Sequence, residues 1–198
     1  MTRHIKNTEP GHESFRAVAI GTSAGGIEAL NYLLPSIPED CNMSFFVVQH
    51  ISAESDSSFI RLMRDRCSMI VREACNTDKI EPGTIYFAPP DYHLLVEKDK
   101  TLSLSKEEKI NYSRPSIDLL FETAAEAFTE MLTGILLTGV NRDGSSGLKR
   151  IADLGGRTIV QSPEDAAFSE MPASALKILK PDMVITLKEI AAFLGRCD

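Results

Sequence analysis

Ser23 lies between two glycines in the pattern Gly21-x-Ser23-x-Gly25, which is typical of a nucleophile elbow. The small flanking residues of such an elbow allow a sharp turn that holds the serine hydroxyl clear of the backbone. A serine nucleophile needs a base to accept its proton and a carboxylate to orient that base. His50 and Asp143 can supply these two groups. The residue types therefore predict acyl-transfer chemistry of the Ser-His-Asp kind.

The same glycine-rich turn has two other common uses, which are to bind a nucleotide phosphate or simply to let a strand pack against a helix. The phosphate use is not supported, because no Gly-x-x-x-x-Gly-Lys run is present and Gly21, Gly25 and Gly26 lack the Gly-x-Gly-x-x-Gly spacing. A purely structural turn stays open on this motif alone. The interpretation of Ser23 as a nucleophile therefore depends on its partners.

The chain contains four histidines that could act as the base. His50 is favoured because it directly follows the strongly apolar segment 44–49. His93 opens a short edge-type strand and is the main competitor, whereas His4 and His12 lie in a polar leader.

Asp143 precedes a glycine, so it could instead form an Asp-Gly turn or cap the helix that follows Gly144. The chain order Ser23, His50, Asp143 also differs from the Ser, Asp, His order of the α/β-hydrolases, so the elbow does not imply that fold. The joint occurrence of all three residue types at strand ends favours the catalytic interpretation.

Apolar segments with strand character alternate with segments of helical spacing over most of the chain. Strands are predicted at residues 17–21, 44–49, 69–71, 134–138, 158–161 and 183–186. Helices are predicted at residues 27–34, 59–67, 117–128, 145–154 and 173–179, and from residue 187 onward. This alternation predicts an α/β fold with a doubly wound, mainly parallel sheet. Because sites in such sheets lie at the carboxyl ends of the strands, the three candidate residues are expected at one edge.

Residues 84–104 have a different pattern, with three short strands predicted at 84–88, 93–96 and 101–104. Prolines and the Lys98-Asp99-Lys100 turn separate them. We expect these strands to pair antiparallel, as a hairpin region at an edge of the sheet.

The 198 residues fit one domain, predicted at 17–198 after a polar leader at 1–16. The formal charge of −7 and the lack of a basic cluster argue against a nucleic-acid partner. The longest apolar runs are too short for a membrane span. Four scattered cysteines, at 41, 67, 75 and 197, are not spaced as metal ligands and predict a reduced, cytoplasmic protein.

Five separated segments, in order along the chain, resemble the catalytic domain of CheB, the chemotaxis protein-glutamate methylesterase. They are Ala19-Ile20-Gly21-Thr22-Ser23-Ala24-Gly25-Gly26, Val47-Val48-Gln49-His50, the run from Tyr86 to Val96, Arg114-Pro115-Ser116-Ile117-Asp118, and Gln161-x-Pro163-Glu164 with Met171-Pro172. The resemblance implies an α/β esterase of glutamate methyl esters on the cytoplasmic helices of methylated chemoreceptors, with glutamine deamidation in some members.

The resemblance also implies the site residues, placing the family nucleophile on Ser23, its base on His50 and its carboxylate on Asp143. Backbone N–H groups near Ala24 and Val140 would hold the oxyanion. Water attacks the acyl-enzyme in this chemistry, so neither a metal nor another cofactor is expected.

Three features depart from the family pattern. Asn141 replaces the second glycine of the usual Gly-Met-Gly-x-Asp-Gly loop, and the proline usual shortly after the histidine is missing from residues 51–54. The receiver domain usual upstream cannot fit in 16 residues, so a separate response regulator is one expected partner. The altered loop and the missing receiver motivate a second function, a non-catalytic or altered module that docks a signalling partner through the same groove. An esterase of small or unrelated acyl substrates is a third function that stays open.

Overall fold

The computed structural model describes residues 15–50 and 58–197. That part of the chain contains nine strands and six α-helices. The strands are β1 (Ala17–Thr22), β2 (Ser44–Gln49), β3 (Ile70–Glu73), β4 (Thr84–Phe87), β5 (His93–Val96), β6 (Leu102–Ser105), β7 (Leu132–Leu136), β8 (Arg157–Gln161) and β9 (Met183–Ile185). The helices are α1 (Gly26–Leu33), α2 (Ser58–Arg66), α3 (Ile117–Phe128), α4 (Ser145–Asp153), α5 (Glu170–Leu176) and α6 (Leu187–Leu194).

Seven strands form one sheet in the order β3-β4-β2-β1-β7-β8-β9, and every pair in it is parallel. The remaining strands, β5 and β6, pair antiparallel in a separate two-stranded sheet. The predicted α/β class with a mainly parallel sheet is therefore confirmed. No helix of the described residues has the length and apolar character that a membrane span requires.

Strand β1 shows why the sheet is covered on both faces. Its residues are all buried, with Ala17 and Ala19 contributing to one apolar cluster and Val18 and Ile20 to the other. Helices α3, α4 and α5 pack on the first face, together with the β5–β6 hairpin, and helices α1, α2 and α6 pack on the second. A parallel strand buried between two helical layers requires such a continuous apolar sequence.

The strand register brings three loops to the same edge. Gly21 of β1 is level with Val48 of β2 on one side and with Leu136 of β7 on the other. The chain runs from β1 to β2 in one direction and later returns to β7 on the opposite side, so β1 and β7 flank the topological switch point. The crevice at such a point is the usual ligand site of an open parallel sheet.

The expected antiparallel pairing of residues 84–88 is wrong. Strand β4 lies inside the large sheet, parallel to β2 and β3, with Ile85 opposite Phe45 and Val71. All four of its residues are buried, because both faces are covered by the two apolar clusters. The antiparallel hairpin is limited to β5 and β6, which form a separate sheet, and β5 packs against α3.

The expectation that all four cysteines are reduced is also wrong for one pair. Cys41 and Cys197 form a disulfide, with their Cα atoms 5.6 Å apart. These residues are distant in sequence, but the end of α6 lies beside the segment that precedes β2. The Ser36 hydroxyl donates to the Ala191 carbonyl of α6 at 3.3 Å in the same region. Cys67 and Cys75 are free thiols.

Helices α3 and α4 approach closely at Gly147. A Cβ atom at this position would lie 2.6 Å from the carbonyl oxygen of Asp118 and 2.6 Å from the Cβ of Phe121. Both distances are shorter than van der Waals contact, so only glycine allows the two backbones to approach this far. This contact fixes the start of α4 against the start of α3.

We expect Gly147→Ala to lower the free energy of unfolding by roughly 1–3 kcal/mol, because the added methyl group must push the two helices apart. Urea denaturation of the variant and the parent chain measures the change. Ser146→Ala, at an exposed position one residue earlier, is the matched control. Equal stability of the Gly147 variant and the control would contradict the proposed close packing.

Candidate active site

Ser23 lies in the turn between β1 and α1. The Gly26 N–H donates to the Ser23 carbonyl at 2.9 Å, and Gly25 has a φ of 76°, in the left-handed region that favours glycine. A Cβ on Gly26 would overlap the side chains of Gln49 and Thr22. The glycines therefore permit a turn so tight that the serine side chain is left half-buried at the carboxyl edge of the sheet.

His50 lies between the other two predicted side chains. Its Nδ1 is 3.2 Å from the Ser23 Oγ, and its Nε2 is 2.9 Å from the Asp143 Oδ2. Asp143 is fully buried and His50 is 12% exposed. Because an ionised carboxylate only accepts hydrogen bonds, Nε2 carries the proton and Nδ1 offers a lone pair to the serine hydroxyl.

The orientation of this imidazole differs from that in the chymotrypsin-type triad. There, Nε2 faces the serine and Nδ1 faces the aspartate. Here the two nitrogens are exchanged, and Nδ1 is the atom placed to take the serine proton. One ring nitrogen still faces the serine and the other still faces the carboxylate, so the arrangement offers the same base and the same charge stabilisation.

The Asp143 carboxylate accepts five hydrogen bonds. Its Oδ2 accepts from His50 Nε2 and the Ile117 N–H, and its Oδ1 accepts from the Ser116 hydroxyl and the N–H groups of Asp118 and Gly144. Burial alone would raise the pKa of this carboxyl. Hydrogen bonds from His50 and from the N–H groups of Ile117 and Asp118 outweigh burial and hold the pKa below its ordinary value. The carboxylate is therefore kept ionised inside the protein.

These contacts also decide which helix Asp143 caps. The sequence suggested α4, which starts two residues later, but the Ile117 and Asp118 N–H groups belong to the first turn of α3. The positive end of α3 favours a negative charge at this position. Asp143 thus joins the start of α3 to the imidazole of His50.

His93, the competing base, has a different environment. It is fully buried, and its Nδ1 accepts a hydrogen bond from the Ser116 N–H at 3.1 Å. Its Nε2 donates to the Glu108 carbonyl at 3.2 Å. Both ring nitrogens are satisfied by backbone groups, so His93 supports the segment before α3. His4 and His12 lie outside the described residues.

Three polar residues that the sequence analysis did not assign to the site hold its loops. The Gln49 side-chain amide donates to the carbonyls of Ser23 and His50 at 2.9 and 2.8 Å. The Thr138 hydroxyl donates to the Ala24 carbonyl at 2.9 Å, and the Thr138 N–H donates to the Gln161 side chain at 3.0 Å. Gln49 and Gln161 are polar residues at the ends of largely apolar strands, and this position in the sequence could have indicated that they belong to the site.

The Ala24 and Val140 loops border the serine. Throughout residues 15–50 and 58–197, neither the Ala24 N–H nor the Val140 N–H donates a backbone hydrogen bond. The Val140 side chain is 53% exposed and that of Phe168 is 43% exposed, so the rim is open and partly apolar. The Gly139 N–H donates to the Phe168 carbonyl at 3.1 Å, which ties the two sides of this rim together.

Asn141, the residue that departs from the family loop, lies against the histidine. Its Oδ1 accepts from the Asp143 N–H at 3.0 Å, and its Nδ2 is 3.4 Å from His50 Nδ1. The other local departure, in residues 51–54, lies outside the described residues. Among the described residues, no group of three or more His, Cys, Asp or Glu side chains is arranged to hold a metal ion.

Comparison with known proteins identifies the family. The sequence model of CheB methylesterase matches residues 18–194. The chain belongs to the CheB methylesterase family. The crystal structure of the Thermotoga maritima CheB methylesterase catalytic domain superposes with a TM-score of 0.88 at 29% identity, covering 93% of this chain and 100% of that domain. The chain thus shares the fold of that catalytic domain.

Relatives named protein-glutamate methylesterase/protein-glutamine glutaminase match nearly all of the chain. A Leptospira interrogans protein is 45% identical over 93% of this chain and 96% of its own length. A Clostridium acetobutylicum protein is 35% identical over 90% of this chain. The match spans only 52% of that second relative, so the chain corresponds to about half of the longer members.

A second carboxyl, that of Asp118, is buried close to Asp143 and is 6% exposed. It accepts from the Gly147 N–H at 2.8 Å and from Asn111 Nδ2 at 3.0 Å. Burial raises the pKa of Asp118 to about 6, assisted by repulsion from Asp143 and opposed by the hydrogen bond from Gly147. The folded chain therefore binds this proton more tightly than the unfolded chain does.

We expect Asp118→Asn to change the pH dependence of stability. Because the pKa of Asp118 is higher in the folded state, this carboxyl lowers the free energy of unfolding as pH rises from about 4 to about 6. The variant has no carboxyl at this position, so its free energy of unfolding does not fall in this way. The difference in this free energy, variant minus parent, should therefore increase from about pH 4 to about pH 6 and stay constant at higher pH. Chemical denaturation at several pH values measures the difference. Asp40→Asn removes an exposed carboxyl as the control, and parallel curves for parent and Asp118 variant would refute the assignment.

Proposed function

We propose that the chain is a serine esterase that hydrolyses glutamate methyl esters on the cytoplasmic helices of methylated chemoreceptors. The observation that carries this proposal is the bridging position of His50, 3.2 Å from the Ser23 hydroxyl and 2.9 Å from the Asp143 carboxylate. The family membership supports the same reaction. The roles of nucleophile, base and orienting carboxylate are assigned to these three residues.

The reaction proceeds in two halves. As the Ser23 Oγ attacks the ester carbonyl, its proton passes to His50 Nδ1, and Asp143 stabilises the resulting imidazolium. Nδ1 then returns the proton to the departing oxygen, which leaves as methanol, and an acyl-enzyme remains on Ser23. In the second half, Nδ1 takes a proton from water, and the hydroxide attacks the acyl carbon. The bond from this carbon to the Ser23 Oγ then breaks, Nδ1 returns the proton to Oγ, and a glutamate side chain and the free serine result.

The negative charge on the tetrahedral intermediate needs hydrogen-bond donors near Ser23. The backbone N–H groups of Ala24 and Val140 are assigned this role, because both border the serine and donate no backbone hydrogen bond among the described residues. The start of α1 adds a favourable dipole at the same place. Donors of this kind lower the barrier by about 3–4 kcal/mol.

The same site can hydrolyse a glutamine side chain, because an amide carbonyl accepts the serine in the same geometry. His50 would then return its proton to the leaving nitrogen, which departs as ammonia. The names of the relatives from Leptospira interrogans and Clostridium acetobutylicum include this second activity. We therefore include deamidation in the proposal.

The shape around Ser23 favours a side chain on a protein surface over a small free ester. Val140 and Phe168 form an open rim, and a cavity of 530 Å³ is lined mostly by polar residues, including Asp118, Arg142 and Lys177. Ser23 does not line that cavity. An esterase of small acyl substrates would need an enclosed apolar pocket at the nucleophile.

A cytoplasmic location follows from the proposed substrate. Control by a response regulator on a separate chain stays a prediction. A non-catalytic docking module is the second candidate function, and the contact of the Asn141 amide with the imidazole is the observation that favours it. Such a module would bind receptor helices without reacting with serine-directed reagents.

We expect Ser23→Ala to reduce methanol release from methylated receptor by about 10⁴-fold or more, since the acyl-enzyme can no longer form. A fluorophosphonate should also form an adduct on Ser23 that mass spectrometry detects. Ser68→Ala, at an exposed position away from the site, is the matched control. Undiminished turnover by the Ser23 variant would exclude it as nucleophile, and inertness of the parent chain toward the reagent would support the docking module.

Asp143→Asn should reduce kcat by about 10³–10⁴-fold, because a neutral amide neither fixes the imidazole tautomer nor stabilises its cation. The amide also offers N–H groups to donors on α3, so the free energy of unfolding should fall as well. Steady-state kinetics and urea denaturation separate the two effects. Retention of kcat in a folded variant would remove Asp143 from the catalytic set.

A further inference from the structure

We propose that Asn141 is a positioning residue that holds His50 in a resting arrangement and slows the attack of Ser23. The Asn141 amide and the Ser23 hydroxyl both donate to the single lone pair of His50 Nδ1. This inference rests on the proposed function, because it concerns the same proton transfer. It gives Asn141, which replaces the usual glycine of the family loop, an effect on the rate of the Ser23 attack.

The orientation of the Asn141 side chain is set by its neighbour. The Asp143 N–H can only donate, so the amide oxygen of Asn141 must be the end that faces it, at 3.0 Å. The amide nitrogen is then the end that faces His50, at 3.4 Å from Nδ1. The hydrogen bond from the Asp143 N–H, two residues further along the loop, therefore directs the N–H group of the Asn141 amide toward His50.

The imidazole has one free lone pair for these two donors. Its Nε2 proton is committed to Asp143 at 2.9 Å, which leaves Nδ1 as the acceptor. The Ser23 Oγ lies 3.2 Å from Nδ1, a long distance for a hydrogen bond of a hydroxyl group. A lone pair that is shared with Asn141 is consistent with this long serine contact.

The amide contact exists only before the reaction. When the Ser23 proton reaches Nδ1, the new N–H and the Asn141 N–H group face each other as two donors, and their attraction is lost. An interaction that stabilises the ground state more than the transition state raises the barrier. The loss of one neutral hydrogen bond corresponds to a rate effect of about two- to tenfold.

Two variants remove the amide donor in different ways. Asn141→Ala removes both ends of the amide. Asn141→Ser keeps a hydroxyl that can accept from the Asp143 N–H in a local turn, but this side chain is too short to reach His50. Comparison of the two variants separates the effect of freeing His50 Nδ1 from the effect of a less ordered loop. Asn76→Ala is the matched control, because the Asn76 Oδ1 also accepts a backbone N–H, that of Leu104, at 3.1 Å in the remote hairpin region.

The experiment measures the rate of fluorophosphonate labelling of Ser23 in the full chain, with the maximal rate and the half-saturating reagent concentration determined separately. We expect the maximal rate to rise two- to tenfold in Asn141→Ser, and in Asn141→Ala if its loop is intact. The half-saturating concentration should not change, because the amide acts on proton transfer and not on reagent binding. The Asn76 variant should match the parent chain.

The outcomes are distinct. An unchanged or lower maximal rate in Asn141→Ser overturns the inference, and a fall of about a hundredfold in both variants would instead make the amide an oxyanion donor. A rise in Asn141→Ser with a fall in Asn141→Ala supports it and assigns the fall to the loop. If neither the parent nor any variant labels Ser23, the proposed function fails and the inference fails with it.

Discussion

The buried charge of Asp143 is the constraint on which the rest of the site depends. A carboxylate without solvent is stable only when donors replace its water, and here five donors do so. Most of these donors come from the start of α3. That start is held in turn by the hydrogen bond from the Ser116 N–H to His93 Nδ1 and by the ion pair of Arg114 with Asp91. The hairpin and the segment before α3 thus serve to place one charged group, and the imidazole takes its orientation from that group.

Much of the fold could be predicted because its physical signals are local. The segments of β1, β2 and β7 are apolar on both faces, which indicates strands covered by helices on each side, and the loop after each strand carries a polar residue at one edge. That rule placed Ser23, His50 and Asp143 together, and the three side chains do meet. The pattern failed at β4, where a short apolar segment between prolines does not distinguish a sheet interior from a hairpin.

The features that the sequence could not indicate depend on contacts between distant segments. The exchanged nitrogens of His50 follow from the direction in which the Asp143 loop approaches the ring. The capping of α3 by Asp143, instead of the neighbouring α4, depends on how closely these helices pack at Gly147. The disulfide of Cys41 depends on where α6 ends. Spacing along the chain carries no information on any of these distances.

The central strands of the sheet come from opposite parts of the polypeptide. The Thr22 hydroxyl at the end of β1 donates to the Thr138 carbonyl, 116 positions later in the chain. Contacts of such separation form only after a large loss of chain entropy, and during synthesis they must wait for the later strand to leave the ribosome. A growing polypeptide therefore carries Ser23 and His50 long before the Asp143 carboxylate can join them, and the candidate site can assemble only late in synthesis.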